Sequence, residues 1–198
     1  MEPLRGNWSN TSDIGYRSYI CGFCGDRTGV KVGYYGVTNG FIYICGGCNR
    51  PTFIELESQT PAPIAGNDVD HIPTEIDILY QQARKSTQVN AYTAGVLVCR
   101  KILMHVAVNQ GADPNLKFIE YVDYLADSGY VPPHGRGWVD HIRKKGNEAN
   151  HEIVLMTKED AFELLSFVEL LLKFVYELPA RVIPSDLPPQ YVPVIMLV

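Results

Sequence analysis

The period of the apolar positions changes partway along the chain. As far as residue 57 they fall in short runs, Arg17–Ile20, Val30–Tyr35, Phe41–Ile44 and Thr52–Leu56, separated by turn-forming residues, which predicts strands. Thr38-Asn39-Gly40 predicts the hairpin turn between the middle two. From residue 73 onward the spacing becomes three and four, which predicts helices. A first helix begins at Pro73 or Thr74, with Asp77 placed for a capping box on Thr74, and buries Ile76, Leu79, Tyr80 and Ala83. A second, about Ala91–Val108, is apolar nearly all round and belongs in the middle of a bundle. Asp113 as N-cap, Pro114 in the first turn and Gly129 at C′ delimit a third. Thr157 and Asp160 read as the capping box of a last helix, Ala161–Leu178, stopped by Pro179.

These elements divide the chain into a small β region over 1–57, a Pro- and Gly-containing linker over 58–72, a helical bundle over 73–178 and an extended tail over 179–198 with five prolines. The fold class expected is α+β, mainly α. The last helix carries more apolar surface than one face needs, so a homodimer is expected, with coverage by the tail as the alternative.

One helical stretch carries chemistry as well as packing. In Trp138–His151, Trp138, Ile142, Gly146, Ala149 and Ile153 form an apolar face, while Arg143, Asn147 and His151 stand at i, i+4 and i+8 on its shoulder. That is a cation, an amide and an imidazole in one line. The stripe either hydrogen-bonds a neighbouring helix or meets a ligand. Arg100 is the odd residue of the second helix: it either pairs structurally or points into the same cleft as His151. Cys99 beside it reads as a small buried hydrophobe, and His105 as structural.

Composition narrows the classes. A net charge of −5 over 198 residues does not fit a general nucleic-acid binder, but Arg136, Arg143, Lys144 and Lys145 make residues 134–151 locally basic. No charged-then-apolar leader pattern opens the sequence, and the longest apolar region is interrupted by Glu163, Glu169, Lys173 and Glu177. A cytoplasmic protein with no membrane segment is expected.

Cys21-Gly-Phe-Cys24 and Cys45-Gly-Gly-Cys48 stand 20 residues apart, the ligand spacing of a four-thiolate zinc site. With hairpin strands between and around them they predict a zinc ribbon, with two disulfides as the alternative. Such a site has no open coordination position, so the zinc expected here is structural.

Residues 73–178 resemble a helical domain-of-unknown-function family that recurs in prokaryotic proteins, including fusions to restriction-endonuclease subunits, and is grouped with the HEPN superfamily. The resemblance rests on Ile72-Pro73 with Tyr80 and Ala83, on Cys99-Arg100-Lys101-Ile102-Leu103, and above all on the run from Ile142 to His151. It implies a four- or five-helix bundle that often dimerises. Many HEPN proteins are metal-independent ribonucleases in which an Arg and a His, with four to six residues between them, meet their symmetry mates across a dimer and cleave RNA through its own 2′-hydroxyl. Here Arg143 and His151 are separated by seven residues, and Met104 stands where the family commonly has an acid.

Two readings follow. In the first the protein is a HEPN-like endoribonuclease of prokaryotic defence or mobile elements. His151 transfers the proton, Arg143 clamps a phosphate oxygen, Asn147 orients the imidazole or ribose, and Arg100, Lys144 and Lys145 hold the substrate. In the second, ribbon and bundle form a non-catalytic module that binds nucleic acid or a protein partner.

Overall fold

The computed structural model describes residues 7–37, 39–131, 137 and 155–181. The chain divides into two compact units: residues 1–65 with 84–91, and residues 66–83 with 92–198.

The first unit is a five-stranded antiparallel sheet in which each strand pairs with the next: β1 (Ser12–Ile20), β2 (Arg27–Tyr35), β3 (Gly40–Ile44), β4 (Pro51–Glu55) and β5 (Ser58–Thr60). The four strands expected from the sequence are present, β1 and β2 being longer than expected. β1 and β2 meet through a register shift between Asp13 and Arg17. The β2–β3 hairpin closes through Gly36 N–H donating to Gly40 O at 2.9 Å. The core is small, with Tyr19, Tyr43, Ile54, Cys21, Cys45 and Cys48 buried together and Ile14, Phe23, Val30 and Phe41 packed around them.

The fifth strand lies in the stretch expected as a linker, and more of that stretch is tied down. Ala62 N–H donates to Gln88 O, Gln88 Nε2 donates back to Ala62 O, and Arg84 Nε donates to Ala65 O, each at 2.9 to 3.0 Å. The last turns of α1 (Thr74–Gln88) are thus built into the sheet unit.

The second unit holds the earlier part of α1 with α2 (Tyr92–Asn109), α3 (Phe118–Asp127) and α4 (Lys158–Leu172). Ile76, Tyr80, Ile102, Leu103, Val106, Leu125, Leu165, Val168 and Leu172 form its buried interior. Among these helices α2 packs most extensively on α4 and α3, the central place its all-round apolar sequence predicts. Two buried glutamates fasten residues 66–70 to the last helix. Glu169 accepts from Asn67 N–H at 3.0 Å and Asn67 Nδ2 at 2.9 Å, and Glu177 accepts from Asp70 N–H at 3.2 Å. Gly66 adopts φ +69°, and a Cβ there would press on Tyr80 Oη and Glu169 Oε2.

α1 begins at Thr74, as expected, but its first turn closes on Pro73, whose carbonyl accepts from Asp77 N–H, and Asp77 accepts from Gln81 instead of forming the expected box. Two other helix ends differ from expectation. α3 begins at Phe118 rather than after Asp113, because Asn115 at φ +74° interrupts any helix through that stretch. Glu120 then accepts from Lys117 N–H and satisfies the new start. The last helix does not stop at Pro179. Its α-geometry ends at Leu172, a π-helical turn covers Lys173–Glu177, and helix resumes over Leu178–Arg181. The wider turn lies where the proline ring would otherwise press on the carbonyl four residues back. The ends expected at Thr157–Asp160 and Gly129 stand: Thr157 and Asp160 bond reciprocally, and Gly129 has φ +81°.

Candidate metal centre

The two Cys-x-x-Cys segments fold into matching turns at the ends of β1 and β3. In the first, Gly25 N–H donates to Cys21 O and Cys21 N–H donates to Asp26 O, both at 2.9 Å. In the second, Asn49 N–H donates to Cys45 O at 2.9 Å and Cys45 N–H to Arg50 O at 3.0 Å. Each turn needs a left-handed residue immediately after its second cysteine, and Gly25 (φ +77°) and Asn49 (φ +57°) supply it. Asn49 is therefore the counterpart of Gly25, a role its type and position in the sequence would have disclosed.

The turns bring four sulfurs together. All four Sγ atoms lie within 4.8 Å of one another, Cys21 to Cys48 at 3.7 Å and Cys24 to Cys45 at 3.8 Å. A disulfide needs about 2.05 Å, so none of these cysteines is bridged. A tetrahedral ion with sulfurs at about 2.3 Å places them about 3.8 Å apart along each edge, and two of the observed separations match that edge. The donor set fits zinc. Among the described residues this is the one group of three or more metal-ligating side chains.

Backbone amides and burial act on the cage thiols in opposite directions. Phe23 N–H points at Cys21 Sγ at 3.4 Å. Burial pushes the Cys45 thiol up, but the N–H groups of Cys48 and Gly47 and the neighbouring Cys21 and Cys48 thiols together bring it down to about 7. The Cys24 thiol is pushed up to about 12, chiefly by burial. Gly22 is pressed against the chain beyond β5: a Cβ there would collide with the carbonyl oxygens of Pro61 and Ala62, and its own carbonyl accepts from Gln88 Nε2 at 2.6 Å. Sequence reading missed Gln88 because it lies 66 residues away with no local pattern to mark it.

Of the other predicted site residues, Arg143, Lys144, Lys145, Asn147 and His151 lie outside the described residues. Arg100 is placed. Its guanidinium carbon stands 4.2 Å over the centre of the Phe118 ring, and partial burial lowers its pKa. Among the described residues a ring face receives it. His105 is exposed, and Cys99 is buried with its thiol pushed up to about 12 by that burial. No described helix is long and apolar enough to cross a membrane.

The family model described as "Domain of unknown function (DUF4145)" matches residues 81–189, more than half of the chain. No curated protein and no solved structure matches.

Proposed function

This chain belongs to the DUF4145 family, and on that premise we propose an RNA-directed protein whose ribbon is held by one structural zinc ion. In it the stripe Arg143, Asn147 and His151 acts on the RNA strand as a HEPN-like endoribonuclease. The observation that carries the zinc in this reading is the cage: four cysteine sulfurs, all within 4.8 Å of one another, would supply a zinc ion's four ligands and leave it no open position. Zinc there supplies folding energy, and the chemistry falls to side chains elsewhere. The stripe lies within the family span and joins the groups strand cleavage uses: an imidazole to move a proton and a guanidinium to hold a phosphate oxygen.

A homodimer is part of the same proposal. Leu170, Phe174 and Leu178 stand outward on successive turns of the last helix, each exposed by more than a third, an apolar line suited to a two-fold partner. A homodimer is the state in which two stripes meet. Light scattering at tens of micromolar should report twice the chain mass, and Phe174→Gln should shift it toward the monomer.

The deciding experiment measures RNA cleavage by the zinc-loaded chain without added divalent ions, beside melting temperature. His151→Ala should leave the melting temperature unchanged and cut the rate by about 10²–10⁴-fold. Arg143→Lys should also fail, because lysine keeps the charge and loses the planar fork. Unchanged cleavage with lowered stability would end the ribonuclease reading and leave the binding module.

A further inference from the structure

The Gly22 carbonyl and the Phe23 N–H are the two ends of one planar peptide unit. Its N–H points at Cys21 Sγ at 3.4 Å, and its carbonyl oxygen accepts from Gln88 Nε2 at 2.6 Å. Gln88, this peptide and the sulfur of the fully buried Cys21 therefore form one line of hydrogen bonds. Gln88 is itself held. It is 8% exposed, its Nε2 also donates to Ala62 O at 3.0 Å, and Ala62 N–H donates back to Gln88 O at 2.9 Å. Both oxygens that face Nε2 belong to carbonyls, so the nitrogen end of the amide has to be the one turned toward the cysteine turn.

The second turn repeats the arrangement. The Asn49 carbonyl and the Arg50 N–H again belong to one peptide unit. The N–H acts on the Cys48 thiol, and the carbonyl oxygen accepts from Trp8 Nε1 at 3.0 Å. The indole is set edge-on to Tyr34 with ring centres 6.3 Å apart. Cys21 and Cys48, the two sulfurs backed in this way, are the pair that stands 3.7 Å apart.

We infer that Gln88 and Trp8 are positioning residues of the metal centre: each holds the carbonyl end of a peptide whose N–H end supports a cage thiolate. The inference rests on the zinc site and uses nothing of the ribonuclease reading. Four thiolates carry more negative charge than one zinc ion cancels, so a buried sulfur needs hydrogen-bond donors as well as the ion. A donor on the far carbonyl polarises the peptide and strengthens its N–H. It also fixes the peptide plane, and with it the direction in which the N–H points. Neither residue touches a sulfur, so both act through the backbone of the turns.

The full chain tests this through zinc affinity, measured by competition with a chromophoric chelator, and through the sulfur-to-metal charge-transfer band of its cobalt(II)-loaded form. Gln88→Met keeps the length of the side chain and loses the donor. It should weaken zinc binding about tenfold, the low end for loss of a residue that orients a metal ligand. The band should move to longer wavelength, since a less supported sulfur gives up electron density more readily. Trp8→Phe keeps an aromatic ring without the N–H and should act in the same direction, so it remains informative if Gln88→Met fails to fold. The control is Thr87→Val. Thr87 is 2% exposed beside Gln88, but its hydroxyl donates to Arg84 O within α1. Its loss should lower the melting temperature and leave affinity and band in place. Affinity and band unchanged in both donor variants overturn the positioning roles while the zinc site stands. An equal shift in Thr87→Val overturns them too, because loosening alone then suffices. A parent chain that binds no zinc overturns the zinc site and this inference together.

Discussion

Gly22 and Gly46 hold the same place in the two cysteine turns and meet different surroundings. A methyl group at Gly22 would enter the carbonyl oxygens of Pro61 and Ala62, whereas at Gly46 it would find nothing nearer than Thr28 Oγ1 at 3.7 Å. Gly22→Ala should cost about 1–3 kcal/mol, the usual penalty for forcing atoms into filled space, and Gly46→Ala about 0.5 kcal/mol or less. Chemical denaturation of the zinc-loaded chain separates them. Glu169 supplies a pH test in the other unit. Burial works to raise its pKa, but Lys173 and the two donors of Asn67 more than offset it, holding it below the ordinary 4.5. Above that value the charged carboxylate's stabilisation is present in full, and it drains away as pH falls through the lower folded pKa. Glu169→Gln should therefore lower the melting temperature at pH 7, and the gap from the parent should narrow below about pH 4.5.

At the scale of elements, the ends that were legible in the sequence are those fixed by chemistry within four residues. Thr157 and Asp160 bond to each other's backbone as their spacing requires, and Thr157→Ala should cost about 0.5–2 kcal/mol by thermal melting. Gly129 ends α3 for an equally local reason. The ends that were not legible depend on what the chain meets elsewhere. Asp113-Pro114 is a sound helix start by type, but Asn115 in the left-handed region passes the role to Lys117 and Glu120. Pro179 reads as a stop, and the π-helical turn before it carries the helix through. The cysteine ligands were legible because their spacing is the spacing of the turn that presents them. Gln88 and Trp8 were not, since their partners lie 66 and 41 residues away and no periodicity records them, and β5 was not because its three residues are too few to show an alternation.

For the whole molecule, the five cysteines report on both units at once. Four of them form the cage in the first unit, and Cys99 lies in the second with 1% of its surface exposed. A sulfur bound to zinc is withheld from alkylation, and so is a buried thiol pushed up to about 12. The zinc-loaded chain should therefore react slowly at every cysteine. A strong chelator should remove the ion, and a sheet with so small a core should loosen with it. Four thiols should then become reactive together, the zinc appearing in step with them. Far-UV circular dichroism should keep most of its helical signal, because α2, α3 and α4 have an interior of their own. Cys99 should appear only on addition of denaturant. If all five thiols titrate in one step with the loss of helix, the ion is holding both units. If the cage cysteines react at the rate of free thiols before any chelator is added, the four-thiolate zinc site is wrong.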